Sequence, residues 1–158
     1  NFRKNTMAGN DAVAPDAQWL RDELDRRTAG YNGLNFLEKF GMYMANAQLL
    51  EMGVKRVLVG KFNEDFDEVE EMSLGILGKR MRRNGVREEV LAGLKYITES
   101  RNHIAHALLA EHHIWVSVMG DRMHNRQERD LDKAYLELMS FNLGFEHAEE
   151  NNLFVLPQ

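Results

Sequence analysis

Apolar residues recur at intervals of three and four positions along most of the chain, and this spacing predicts amphipathic helices. The first helix is predicted over residues 15–27, because proline is tolerated at a helix start and the Ala29-Gly30 pair favours its end. A turn at residues 31–33 then precedes a core helix of about 25 residues that begins near Phe36. This pattern is typical of an all-α protein.

The next predicted helix begins in a strongly acidic segment, residues 64–71, and its apolar positions continue through Met81. Acids are favourable in the first turns of a helix, and Asn84-Gly85 predicts its C-terminal cap. A cation site is the alternative interpretation of the acids. It is disfavoured because the segment lacks the Asp-x-Asp-x-Asp-Gly loop that calcium sites use.

The second half of the chain predicts a long helix over residues 86–112 and then a short strand or extended connector at 114–119. A polar loop is predicted at 121–130 and a final helix at 129–149. An apolar tail at 153–156 is expected to dock on the core.

Together these elements predict an all-α fold, a single-domain helical bundle of four to five helices over residues 11–156. Residues 1–10 are polar and are expected to form a flexible N-terminal segment. The only prolines are Pro15 and Pro157, so nothing between them prevents long helices.

Composition narrows the possible functions. The 158 residues carry a net charge of −5, which argues against a surface that coats nucleic acid but allows a local basic patch at residues 79–87. The absence of cysteine excludes disulfides, thiolate nucleophiles and cysteine zinc sites. No apolar run approaches the ~18 residues that span a bilayer, which predicts a soluble, cytoplasmic protein without a membrane partner.

The candidate chemistry lies at residues 101–106, Arg-Asn-His-Ile-Ala-His, which we call the motif. On an α-helical wheel Arg101 lies in the middle of the apolar stripe, where a guanidinium requires a partner, a polar cleft or a second subunit. Asn102 and His106 lie on the polar face together with Lys95 and Glu99. Arg101 and His106 are about 140° apart around the axis, but the long arginine side chain can turn towards the imidazole.

The motif, late in a long helix of a small all-helical chain, resembles the signature of the HEPN domain family: an Arg, a polar residue, a short spacer and a His. The resemblance implies a HEPN-like fold and a metal-independent endoribonuclease without cofactors, which forms 2′,3′-cyclic phosphate ends. It also implies a composite site at a homodimer interface and a role as a toxin or defence component, with single-stranded RNA as substrate and an antitoxin protein as a further partner.

Carried over by position, Arg101 and His106 would be the catalytic pair and Asn102 their polar helper. His would supply the base and the acid for attack by the ribose 2′-hydroxyl, and Arg would stabilise the charge on the phosphorane. The substrate-binding residues would be basic side chains around the motif: Lys95, His103, Arg82, Arg83 and Arg87. Some toxin members also have a modified Tyr two residues after the motif His. This chain has Leu108 there.

Three alternatives remain. Arg101 could make a buried ion pair with Glu70, Glu71 or Glu137, with His103 and His106 as ordinary surface residues. A di-iron site is disfavoured because no Glu-x-x-His pair occurs, and a metal on His103, His106 and Glu99 would be weak. A non-catalytic HEPN-like module that binds a nucleotide or a protein would use the same fold and the same groove.

Overall fold

The computed structural model describes residues 16–108 and 121–155. The predicted strand or connector at 114–119, the end of the predicted motif helix and the segment 1–10 lie outside this part. Six α-helices are described: α1 (Ala17–Thr28), α2 (Phe36–Phe62), α3 (Phe66–Glu70), α4 (Leu74–Arg83), α5 (Glu88–His103) and α6 (Asp121–Glu150). A 3-10 turn (Tyr31–Gly33) precedes α2, and a π-helix (Ile104–Leu108) continues α5. The prediction of an all-α bundle is confirmed for the described residues, which contain no strand, but the helices number six and not four or five.

Helix α2 is the central element of the bundle. It starts with a capping box, in which Asn35 accepts from the backbone N–H of Glu38 and the Glu38 side chain accepts from that of Asn35. It ends at Asn63, whose φ of 54° is left-handed. Its buried stripe packs chiefly against α6 and α4, while α4 packs against α5 and α1 against α6.

The acidic segment does not begin one continuous helix, as the sequence predicted, but divides into α3 and α4. Asp65 caps α3 by accepting from two backbone N–H groups, and Ser73 starts α4. Both Val69 and Leu74 are buried, and the break lets each face the core. Arg80 of α4 then pairs with Glu64 at 3.0 Å, so part of the acidic charge is neutralised within the fold.

The predicted polar loop at 121–130 is wrong, because α6 already begins at Asp121. This stretch contains no proline or glycine, and its Glu128 has a partner in the fold. Glu128 accepts from Lys39 at 2.7 Å, and Asp132 lies 3.0 Å from the same ammonium. Lys39 is 4% exposed and lies on the buried stripe of α2, so the polar residues of α6 compensate a buried charge.

The apolar tail docks on the core as predicted. Phe154 is buried, and its ring centroid lies 5.0 Å from that of Phe145 in α6. Its carbonyl accepts from the backbone N–H of Arg87 at 2.9 Å, directly before α5 begins. The tail therefore satisfies one of the free N–H groups at the start of the motif helix. No helix within residues 16–108 and 121–155 has the length and apolar character needed to cross a bilayer.

Candidate functional site

Helix α5 carries the first half of the motif and is fixed by its apolar side. Leu91, Leu94 and Ile97 are buried against the neighbouring helices, and Ile104 continues this stripe beyond the α-helical part. At Gly93 the helix closely approaches α6, where the ring of Phe141 occupies the space that a Cβ atom would need. The end of α5 is thus positioned by packing on one side only, which leaves its other side accessible.

The backbone changes from α-helix to π-helix inside the motif, at Ile104. A π-helix bonds residue i to i+5 and turns less per residue than the about 100° of an α-helix. The angle between Arg101 and His106 is therefore smaller than the ideal wheel predicts. π-Helical turns occur frequently at functional sites.

The Arg101 side chain is partly buried, and its Nη1 donates to Asn102 Oδ1 at 3.3 Å. Within the described part of the chain, Arg101 makes no ion pair with Glu70, Glu71 or Glu137. The alternative of a buried ion pair with one of these acids is therefore wrong. The guanidinium adopts an intermediate position between the core and the surface.

A buried tyrosine contacts the helix one residue before Arg101, and the sequence did not indicate this. Tyr43 of α2 is fully buried, and its hydroxyl lies 3.2 Å from that of Ser100. Burial raises the pKa of Tyr43, and the negative charge of Glu137 raises it further. The hydrogen bond with Ser100 and the positive charge of Arg101 lower it, but by less. The net pKa is raised, so the hydroxyl stays protonated and anchors the motif to α2. The position of Tyr43 on the apolar stripe of α2 predicted that this side chain is buried, but it did not indicate that Ser100 is its hydrogen-bond partner.

The polar members of the motif other than Arg101 are exposed. Asn102, His103 and His106 are solvent-accessible, as is Lys95 two turns earlier. Lys95 lies 3.8 Å from Glu99, a long ion pair between two exposed groups that contributes little. Arg101, Asn102 and the two imidazoles thus lie within six consecutive residues at one helix end, and Lys95 lies two turns earlier on the same helix.

The basic residues that precede α5 are divided between structural and accessible roles. Arg82 donates to Glu88 at 2.8 Å and Arg87 lies 3.4 Å from Glu89, so each of these two predicted substrate-binding residues already has a carboxylate nearby. Arg83 is exposed at the last turn of α4, where its charge also suits the helix dipole. The local basic patch is therefore weaker than the sequence alone predicts.

The arrangement offers a guanidinium, a carboxamide and two imidazoles without a carboxylate among the motif residues. Such a set can bind a phosphodiester and exchange protons with it. Among the described side chains, no group of three or more His, Cys, Asp or Glu is arranged to hold a metal ion. Comparison of the chain with protein-family models, with curated proteins and with solved structures finds no match.

Proposed function

We propose that the protein is a HEPN-like, metal-independent endoribonuclease that cleaves single-stranded RNA at a composite site between two copies of the chain. Its place in a toxin–antitoxin or other defence system, with an antitoxin protein as partner, belongs to the same proposal. The observation that supports it is the grouping of Arg101, Asn102, His103 and His106 at the α-to-π junction, where Arg101 is partly buried without any of the acids expected to pair with it.

In this mechanism His106 accepts the proton of the ribose 2′-hydroxyl, which then attacks the adjacent phosphorus. The P–O bond to the 5′-oxygen breaks, and a protonated imidazole returns a proton to that leaving oxygen. Arg101 stabilises the charge on the phosphorane, and Asn102 orients the guanidinium through its hydrogen bond. The products are a 2′,3′-cyclic phosphate and a 5′-hydroxyl, and no metal takes part.

A second copy supplies the second imidazole and guanidinium. The face of α5 that carries Arg101 also carries Ile97, one turn earlier, which lines a shallow depression of about 500 Å³ shared with α6. Tyr96 and Leu136 at its edge are 48% and 45% exposed, so two large side chains present apolar surface beside the depression. A two-fold contact here would cover both and bring the two motifs together.

The deciding experiment incubates the purified protein with mixed single-stranded RNA in the presence of EDTA. We expect cleavage with cyclic phosphate ends, reduced by at least about a hundredfold in His106→Ala and in Arg101→Ala, the usual scale for a removed acid–base group. His103→Ala is the matched control, since it removes an exposed imidazole from the same helix end, and it should retain more activity. Intact RNA together with binding of a nucleotide or a protein would identify a non-catalytic module instead.

Light scattering at micromolar concentration tests the composite site. We expect a dimer that Leu136→Glu dissociates and that Leu37→Glu, a change at an even more exposed apolar residue of α2, leaves intact. A monomeric protein that nevertheless cleaves RNA would contradict the composite site while preserving the catalytic roles.

A further inference from the structure

A groove between α4 and α5 leads towards the motif. Its volume is about 280 Å³, and its floor is apolar, formed by Leu74, Leu91 and Leu94. This volume lies near the lower limit of about 300 Å³ for small-molecule sites, which suits one planar ring system better than a larger ligand.

Two glycines of α4 keep this groove open. A Cβ atom at Gly75 would lie 3.5 Å from Thr98 Cγ2, in ordinary contact, whereas one at Gly78 would meet nothing within 4 Å. Close packing therefore does not require glycine at position 78. Its effect is an uncovered apolar wall opposite α5, against which the flat face of a nucleobase can pack by apolar contact.

The rim of the groove is mainly basic. Lys79, Arg82 and Lys95 line it, with Glu99 as its only acid. Lys79 has no ion-pair partner among the described residues, and Lys95 lies 3.8 Å from Glu99, so both ammonium groups are available to phosphates. An apolar floor below cations fits a nucleotide better than an uncharged apolar molecule.

Glu99 gives the groove a base preference. A carboxylate has two acceptor oxygens side by side and no donor, so it pairs in parallel only with two adjacent N–H groups. Guanine offers such a pair, N1–H and N2–H, whereas adenine, cytosine and uracil each place an acceptor beside their donor. Glu99 is exposed and lies one turn before Asn102 and His103, between the groove and the motif.

We propose that this groove binds a guanine base of the RNA, with Glu99 accepting from its Watson–Crick edge and Lys79 and Lys95 contacting the adjoining phosphates. This inference rests on the proposed ribonuclease function, and it adds that cleavage occurs next to guanosine. The stacking surface is the apolar floor opposite Gly78.

Binding is measured by fluorescence anisotropy with the His106→Ala protein and labelled single-stranded octamers that contain one guanosine, one inosine or one adenosine in an otherwise identical uridine sequence. We expect about tenfold weaker binding with adenosine, the scale of a lost bidentate base contact, and an intermediate loss with inosine, which lacks the N2 amino group. Glu99→Ala, which removes both acceptor oxygens, should remove the difference between guanosine and adenosine. Equal affinity for all three octamers would overturn the proposal.

Filling the groove gives an independent test. Gly78→Leu should weaken binding of the guanosine octamer about tenfold, the scale of one stacked base. Gly41→Leu is its control, since Gly41 is an exposed glycine of α2 at which an added Cβ also meets nothing within 4 Å. If both variants bind as the parent protein does, the groove is not the base site.

Charge reversal at the rim has a matched control as well. Lys95→Glu should weaken binding severalfold, whereas Lys133→Glu should not, although Lys133 forms a similarly exposed i,i+4 ion pair at 3.9 Å on α6. The two proposals fail separately. If the parent protein cleaves RNA without a preference for guanosine, and His106→Ala abolishes that cleavage, only the groove proposal is refuted. If the protein binds guanosine RNA specifically but does not cleave it, only the ribonuclease proposal is refuted.

Discussion

The contact between Gly93 and Phe141 allows a quantitative test of how α5 is positioned. Replacing Gly93 by alanine adds a Cβ atom 2.6 Å from Cδ2 of the Phe141 ring and closer still to Cε2, so the ring or the helix must move. Phe141 is partly buried and also lies 6.2 Å, centroid to centroid, from Phe145, which limits how far it can turn.

Two effects of opposite sign determine the change in the free energy of unfolding. Overpacking costs about 1–3 kcal/mol, while replacing glycine by alanine inside a helix stabilises by about 1 kcal/mol. We therefore expect Gly93→Ala to destabilise the protein by up to about 2 kcal/mol. At Gly41 an added Cβ meets nothing, so Gly41→Ala should stabilise by about 0.5–1 kcal/mol.

The assay is urea unfolding followed by circular dichroism, with both alanine variants measured beside the parent protein. A double-mutant cycle with Phe141→Leu isolates the clash, because Gly93→Ala should cost less once the ring is absent. If Gly93→Ala stabilises the protein as much as Gly41→Ala does, the close approach of α5 to α6 is wrong. Gly93→Ala should also lower the rate of RNA cleavage, since relief of the clash with Phe141 displaces the helix that carries the motif.

Two further predictions concern charged groups. Lys39→Met should lower the free energy of unfolding by about 1–3 kcal/mol. The loss is smaller than for a fully buried ion pair because the two carboxylate partners of Lys39 are about one-third exposed. The same substitution at the exposed Lys133 should change the free energy of unfolding by under about 0.5 kcal/mol. Hydrogen bonds from Arg26 and Arg27 lower the pKa of Glu23 from 4.5 to about 2, so its contribution is complete above pH 4.5 and is lost as the pH falls towards 2. Thermal unfolding of Glu23→Gln across this range should show a shallower acid decline than the parent protein, and parallel curves would contradict the assignment.

Local sequence features predicted the helices that are determined by residues close together in the chain. The turn at residues 31–33 and the three- and four-residue spacing that follows it are sufficient to identify α2. The break between α3 and α4 was missed because the apolar spacing continues through it, although Ser73 is a residue type that favours a helix N-cap. The start of α6 was missed because polarity was taken to indicate a loop, although its acids compensate Lys39 across 89 positions of sequence.

The candidate site likewise combines features that the local sequence predicted with features that it did not. Helical periodicity alone predicted that Asn102 and His106 lie on the polar face, and both are exposed. The change to π-helix depends on how the chain packs and has no local signal. The contact of Tyr43 with Ser100 joins residues 57 positions apart, so no spacing rule within the motif helix could indicate it.

The hydrogen bond between the Arg87 N–H and the Phe154 carbonyl has a consequence for the order of events during synthesis. Helix α5 leaves the ribosome well before residue 154, and chains grow at about 5–20 residues per second. For several seconds the first turn of α5 lacks this partner, and α6, against which α5 packs, is still incomplete. The hydrogen bond between Arg87 and Phe154 therefore forms only after most of the bundle has been synthesised, and the first turn of α5 is completed late in folding.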